Sequence, residues 1–118
     1  LKSIGEENII KILNNNNIKY IYDKAYFPDL QYKENGKLRY DFILLNKNNE
    51  PYRLIEFDGE QHLYGWGHDN KQFQEIKERD NIKNEYARVH NIPLVRIPYK
   101  ERDHITIDML FGNQYLIT

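Results

Sequence analysis

Cysteine is absent from the 118 residues, and proline and glycine are scarce at four and six. Without cysteine the chain cannot build a disulfide scaffold, nor bind zinc or an iron–sulfur cluster through thiolates. No apolar run approaches the roughly 18 residues of a membrane span, and the first residues lack a signal-segment pattern, so we expect a cytoplasmic protein with no membrane partner. No linker rich in proline, glycine or serine divides the chain, which predicts one domain over residues 1–118.

An excess of positive charge is also missing. Lys and Arg number 17 against 18 Asp and Glu, and the net charge is −1. A protein that binds nucleic acid through a broad basic surface would carry more positive charge. The composition is globular, at 40 % hydrophobic and 14 % aromatic residues, which excludes a disordered chain. Because the sequence begins with Leu1, we expect a piece of a longer protein.

Hydrophobic periodicity predicts seven elements in the order α-β-β-β-α-β-α, an α/β fold with a mixed β-sheet flanked by helices. The first helix, over 3–13, opens on a capping box, and a short strand over 19–22 and 26–27 follows. Strands over 38–45 and 52–58 form a hairpin around the turn at 46–51. The remaining elements are a helix over 71–90, a buried strand over 94–97 and a helix over 105–111.

Three carboxylates interrupt the apolar hairpin. Asp41 lies within one strand, where burial is costly unless the group is paired or bound to a metal. Glu56 and Asp58 are two residues apart in the other strand, so they point to the same side. A divalent cation would relieve their repulsion, and oxygen ligands suit Mg²⁺ or Mn²⁺. The alternative is structural: Asp41 ends a ladder, and the other two acids face water on an edge strand.

A glycine and a histidine follow directly. Gly59 permits a sharp exit from the strand, and Gln61 and His62 would then lie beside the carboxylates. His62 would serve as a general base or stabilise charge that develops on a phosphate.

Two further acids fall on apolar helix faces. Asp80 shares its sector of the long helix with apolar residues, so it needs a partner. That partner is either the ring of His62, whose tautomer a carboxylate would fix, or Lys77 or Lys83 on the same helix. Glu6 shares the apolar face of the first helix, although the capping box alone would explain a glutamate there.

These residues resemble a known group of nucleases. The motifs Tyr40-Asp41-Phe42, Glu56-Phe57-Asp58-Gly59-Glu60-Gln61-His62, Arg79-Asp80 and Val95-Arg96-Ile97-Pro98-Tyr99 are similar to those of the PD-(D/E)XK superfamily. Within it, the chain most resembles very-short-patch-repair-like endonucleases and the EDxHD phage homing endonucleases. The resemblance covers nearly the whole chain. It implies a restriction-endonuclease-like fold and metal-dependent hydrolysis of DNA phosphodiesters.

The resemblance also implies a role for each matching residue. Asp41 would be the main metal-binding acid, and Glu56 or the backbone carbonyl next to it would be the second ligand. His62 would be the catalytic histidine, oriented by Asp80. Glu6 would contact water on the Mg²⁺ or Mn²⁺ ion and belong to the metal site.

Some features depart from the family pattern. The lysine usually found two residues after the glutamate is Asp58 here, which favours a histidine-dependent version of the site. Asp58 is then either a metal ligand or an acid that contacts the ligands. The zinc-binding cysteines of mismatch-repair members are absent, which argues against mismatch-specific repair. The first acid of the motif could instead be Glu7, but the helix face favours Glu6.

Candidate DNA contacts are Gln61, Arg79, Lys83 and Arg96. The basic residues of the long helix alternate with glutamates, which is typical of a solvated face, and we favour that interpretation for Lys83. Arg79 and Arg96 are the stronger candidates for phosphate contact if they line the cleft.

We therefore expect the catalytic domain of a phage-type homing endonuclease that acts on DNA, with target choice made by a separate DNA-binding region. The alternatives are an inert nuclease-fold module and an RNA-directed nuclease of the same fold. A single site cuts one strand at a time, so a double-strand break would require a dimer or two successive nicks. The sequence carries no dimer signature.

Overall fold

A computed structural model describes residues 2–34, 36–59 and 70–117. In chain order the elements are helix α1 (Ile4–Asn15), strands β1 (Lys19–Lys24), β2 (Gln31–Tyr32), β3 (Gly36–Lys37), β4 (Tyr40–Leu45) and β5 (Pro51–Phe57), helix α2 (Asn70–Val89), strand β6 (Leu94–Ile97), a 3₁₀ turn (Tyr99–Glu101) and helix α3 (Ile107–Phe111). The predicted mixed sheet with flanking helices is confirmed.

The main sheet has four strands in the order β1-β4-β5-β6. β4 pairs antiparallel with both β1 and β5, whereas β6 lies parallel to β5. Helix α2 connects these two parallel strands, as a crossover connection must. β5 therefore lies between β4, its hairpin partner, and β6.

The segment after β1 differs from the sequence prediction. The strand expected at 26–27 is wrong, because β1 ends at Lys24 and the Tyr26 amide turns back to the Lys24 carbonyl. Instead, β2 and β3 form a small hairpin that was not predicted. Gly36 fits this hairpin because a Cβ there would lie 2.5 Å from the carbonyl oxygen of Tyr32.

The sheet is buried on both faces. Phe42 and Ile55 pack with Ile9 of α1 on one face, and Ile43 and Leu54 pack on the other. Neighbouring strand residues therefore point to opposite cores, which explains the near-continuous apolar runs of β4 and β5. Of the helices in the described ranges, none combines the length and apolar character needed to cross a membrane.

Candidate active site

A cleft of about 410 Å³ opens beside the hairpin, between the start of α1 and α2. It is lined by all five acids singled out in the sequence: Glu6, Asp41, Glu56, Asp58 and Asp80. The other lining residues in the described part of the chain are Ser3, Phe57, Gly59, Lys83 and Tyr99. Acids from four separate segments of the chain therefore share one concave site.

Asp41 and Glu56 hold the two hairpin strands together where the backbone ladder stops. The last pair of this ladder is Phe42 with Ile55. Beyond it, Asp41 Oδ2 accepts a hydrogen bond from the Phe57 amide at 2.7 Å, and Glu56 Oε2 accepts one from the Asp41 amide at 2.5 Å. Each carboxylate satisfies an amide of the opposite strand, which gives these acids a structural role as well as a place in the cleft.

The Asp41 carboxylate is held in an unfavourable environment for its charge. Burial, together with the nearby carboxylates of Glu56 and Glu6, raises the pKa of Asp41 to about 8. The Phe57 amide and the Lys83 ammonium oppose this rise without cancelling it. Among the described residues, no hydrogen-bond donor contacts the second oxygen, Asp41 Oδ1. One more positive partner at this carboxylate would be strongly stabilising.

Glu6 both caps its helix and faces the cleft. Its Oε1 accepts hydrogen bonds from the Ser3 amide at 3.1 Å and the Ser3 hydroxyl at 3.2 Å, which completes the predicted capping box. Burial and the charge of Glu6, among nearby acids, raise the pKa of Tyr22 to about 12. Glu6 can therefore cap its helix and also contribute to the cleft. Glu7, the alternative first acid of the motif, is exposed and does not line the cleft.

Lys83 lies inside the cleft, which corrects the expectation of a solvated face at this position. Its Nζ donates to Glu56 Oε1 at 2.8 Å, and its side chain is only 15 % exposed. The long alkyl stem lets a helix residue reach a strand carboxylate while the helix remains at the surface. Both oxygens of Glu56 thus have partners, one from the Asp41 amide and one from Lys83.

Arg96 lies among the carboxylates rather than at an exposed phosphate site. The residue is 8 % exposed. Its Nη1 is 3.0 Å from Asp58 Oδ1 and 3.5 Å from Asp80 Oδ1, and its Nε donates to Asn84 at 3.0 Å. The guanidinium therefore connects β6 with α2 and with Asp58, the residue that follows β5, from within the protein.

Of the other predicted DNA contacts, Arg79 is described by the structure and Gln61 is not. Arg79 does not line the cleft; its Nη2 is 3.8 Å from Glu75, and its guanidinium lies 4.9 Å from the centre of the Tyr32 ring. Gln61 and His62 lie outside the described residues, so the pairing of His62 with Asp80 stays a prediction.

The inward position of Lys83 was not predicted, although one feature of the sequence indicates it. Lys83 follows Asp80 by three residues, so the two share a helix face. Asn84 and Tyr99 gave no comparable signal, because their roles depend on how β6 and the turn after it pack on α2.

A metal ion would find few ready ligands here. Across residues 2–34, 36–59 and 70–117, no group of three or more His, Asp or Glu side chains is arranged to hold one. The cations Lys83 and Arg96 already contact Glu56 and Asp58. However, Mg²⁺ commonly binds through only one or two carboxylates and keeps several waters. Asp41, with a raised pKa and Glu6 nearby, fits that requirement.

No protein-family model matches the chain, and comparison with curated proteins and with solved structures found no match.

Proposed function

We propose that this chain is a metal-dependent endonuclease domain that hydrolyses DNA phosphodiester bonds. The observation that carries the proposal is the buried, strongly perturbed Asp41 in a cleft lined by acids from α1, the hairpin and α2. Strongly shifted carboxylates in a cleft are typical of sites that bind a cation or move a proton.

Asp41 and Glu6 are the side chains that would hold Mg²⁺ or Mn²⁺. Because both Glu56 oxygens have partners, the backbone carbonyl next to Glu56 is favoured over its carboxylate as the ligand from β5. When bound, the cation would neutralise charge on the phosphate and lower the pKa of water in the site.

Other residues would orient the reacting groups. Glu56 holds the Asp41 backbone in place, and Lys83 in turn holds Glu56. His62, following the resemblance, would accept a proton from the attacking water, and Asp80 would orient its ring. Tyr99 and Phe57 supply apolar walls that limit water in the cleft.

Target choice would come from a separate DNA-binding region, as in phage-type homing endonucleases. The net charge of −1 supports this division, because a domain that locates DNA alone would need more positive charge. The positions of Arg96 and Lys83 support it further. Each cation is paired with a carboxylate inside the protein, so neither is presented on an open surface.

An inert nuclease-fold module is the second candidate. It is favoured by one observation: Lys83 and Arg96 already neutralise part of the acidic cluster without a metal. Such a module would bind no divalent cation at Asp41 and would cleave no nucleic acid.

Plasmid cleavage distinguishes the two candidates. Supercoiled DNA is incubated with the protein and Mg²⁺ or Mn²⁺, beside reactions with EDTA and with Asp41→Ala, His62→Ala and the surface control Asp103→Ala. We expect nicked and then linear product from the wild type and the control, and none with EDTA or the two site variants. A parallel single-stranded RNA substrate tests RNA preference.

Because we propose that target choice lies in a separate region, we expect slow cleavage by the domain alone, and the assay is repeated with a fused DNA-binding domain and its site on the plasmid. Absence of cleavage by this fusion would overturn the nuclease proposal. Cleavage that persists in Asp41→Ala would instead show that the active site lies elsewhere.

A further inference from the structure

Arg96 and Glu56 are the two charged residues most deeply buried in the described part of the chain, at 8 % and 5 % exposure. The parallel register of β5 and β6 pairs them directly. A buried guanidinium needs anionic partners, because an uncompensated charge inside a protein is costly. The nearest is Asp58, whose Oδ1 is 3.0 Å away.

The contacts of Arg96 divide the cleft into two halves. On one side, Asp58 and Asp80 lie within 3.5 Å of its Nη1. On the other side, no contact joins Arg96 to Asp41 or Glu6 among the described residues. Arg96 thus neutralises the half that holds Asp58, whereas the half that holds Asp41 is influenced by Lys83, whose ammonium contacts Glu56 and not Asp41.

We propose that Arg96 is a built-in counter-cation that withholds Asp58 from a divalent cation and confines the cation site to Asp41 and Glu6. Arg96 is then a positioning residue, and Asp58 is its partner rather than a metal ligand. The inference rests on the metal dependence proposed above.

Charge in the cleft supports a single bound ion. Among the residues that the structure describes, the five carboxylates that line the cleft outnumber the two cations that contact them, Lys83 and Arg96, by three. One divalent ion leaves the cleft slightly negative, whereas a second would make it positive beside a fixed guanidinium, which is unfavourable at low dielectric. We therefore expect one Mn²⁺ per chain.

The test is calorimetric titration of the purified protein with Mn²⁺, which needs no DNA and no activity. We expect Asp58→Asn to bind Mn²⁺ within about threefold of the wild type, because it removes only a neighbouring charge. We expect Asp41→Asn to lose at least about tenfold, the loss typical even of groups that merely support a ligand.

The variant Arg96→Met tests whether Arg96 withholds Asp58 from the cation. It removes the counter-cation and releases Asp58, so affinity should rise about tenfold or more. Arg96→Lys keeps the charge and should return affinity towards the wild-type value. The matched control, Arg88→Met, removes an exposed arginine paired with Glu85 and should change nothing. A purely structural role for Arg96 predicts weaker binding, never tighter.

Folding of each variant is checked by circular dichroism, and Asp58→Asn decides the matter if Arg96→Met does not fold. The proposal is overturned if Asp58→Asn loses as much affinity as Asp41→Asn, or if folded Arg96→Met binds Mn²⁺ no more tightly. Binding by Arg96→Met but not by the wild type would uphold the role of Arg96 and refute the metal dependence of the natural protein. Binding by neither would refute both.

Discussion

Replacing Asp41 with asparagine should make the folded protein more stable at neutral pH while it removes cation binding. The wild-type carboxylate is buried beside Glu56 and Glu6, which raises its pKa to about 8. Asparagine has nearly the same shape, carries no charge and keeps an oxygen that can accept the Phe57 amide. The substitution therefore removes an electrostatic cost without creating a cavity.

The size of the effect follows from linkage. The Asp41 carboxyl titrates near 3.8 when exposed and near 8 in the folded protein, so between these values the folded state binds a proton that the unfolded state releases. Stability of the wild type consequently falls as pH rises through this window and levels off above it. At about 1.4 kcal/mol per pKa unit, the cost is on the order of 4 kcal/mol at pH 7, about 2 kcal/mol at pH 5.5 and close to zero at pH 4.

Urea unfolding in EDTA measures this directly. The free energies of unfolding of Asp41→Asn and the wild type are compared at pH 4, 5.5 and 7. The gap in favour of the variant should widen with pH. The matched control is Asp103→Asn, whose wild-type carboxylate is 57 % exposed, and it should show no such widening. A variant that is less stable than the wild type at pH 7, or a gap that does not depend on pH, would show that the buried Asp41 charge does not destabilise the folded protein.

Two further predictions concern contacts made by residues of β5. Arg53→Met should lower the free energy of unfolding by about 2 kcal/mol, because Arg53 donates to the carbonyls of Leu110 and Gly112 at 2.7 and 2.9 Å at the end of α3; an unchanged urea midpoint would contradict this. Gly5→Ala should cost about 1–3 kcal/mol, because a Cβ there would lie 2.3 Å from the ring of Phe57. Since the Phe57 amide anchors Asp41, the Gly5 variant should also weaken Mn²⁺ binding in a titration, and wild-type affinity would show that the ring moves without disturbing the site.

The sequence predicted most of what the hairpin contributes to the site. Period-two alternation is local, so placing Glu56 and Asp58 on one side required only that β5 be a strand. The capping box and the helical period placed Glu6 by the same kind of local argument, and both features are present. That these acids share one site with Asp41 and Asp80 was implied by the family resemblance, since no local pattern links residues so far apart in the chain.

The positive partners could not be predicted in this way. The alternation of charges along α2 is the same whether a lysine faces water or reaches inward. Lys83 reaches inward because Glu56, which belongs to another element, lies within reach of its ammonium group. Arg96 depends on the register of two parallel strands, which the sequence does not display. Its place within an apolar strand was the one local sign that it is buried.

Backbone conformation explains the error after β1. Asp23 has φ of 49°, in the left-handed region, and the chain turns just beyond it. Aspartate tolerates this conformation better than most residues, so the sequence alone did not mark the end of the strand. The strand-forming aromatics at Tyr26 and Phe27 then favoured an extension that the structure does not contain.

The most direct test of the account is to locate Mn²⁺ by anomalous diffraction in crystals of the protein, since this requires neither target DNA nor a targeting region. We predict one anomalous peak in the cleft, beside the carboxylates of Asp41 and Glu6, and its loss in Asp41→Asn. No peak in the cleft at saturating Mn²⁺, or a peak that survives in Asp41→Asn, would contradict the claim that this cleft is a metal-dependent active site.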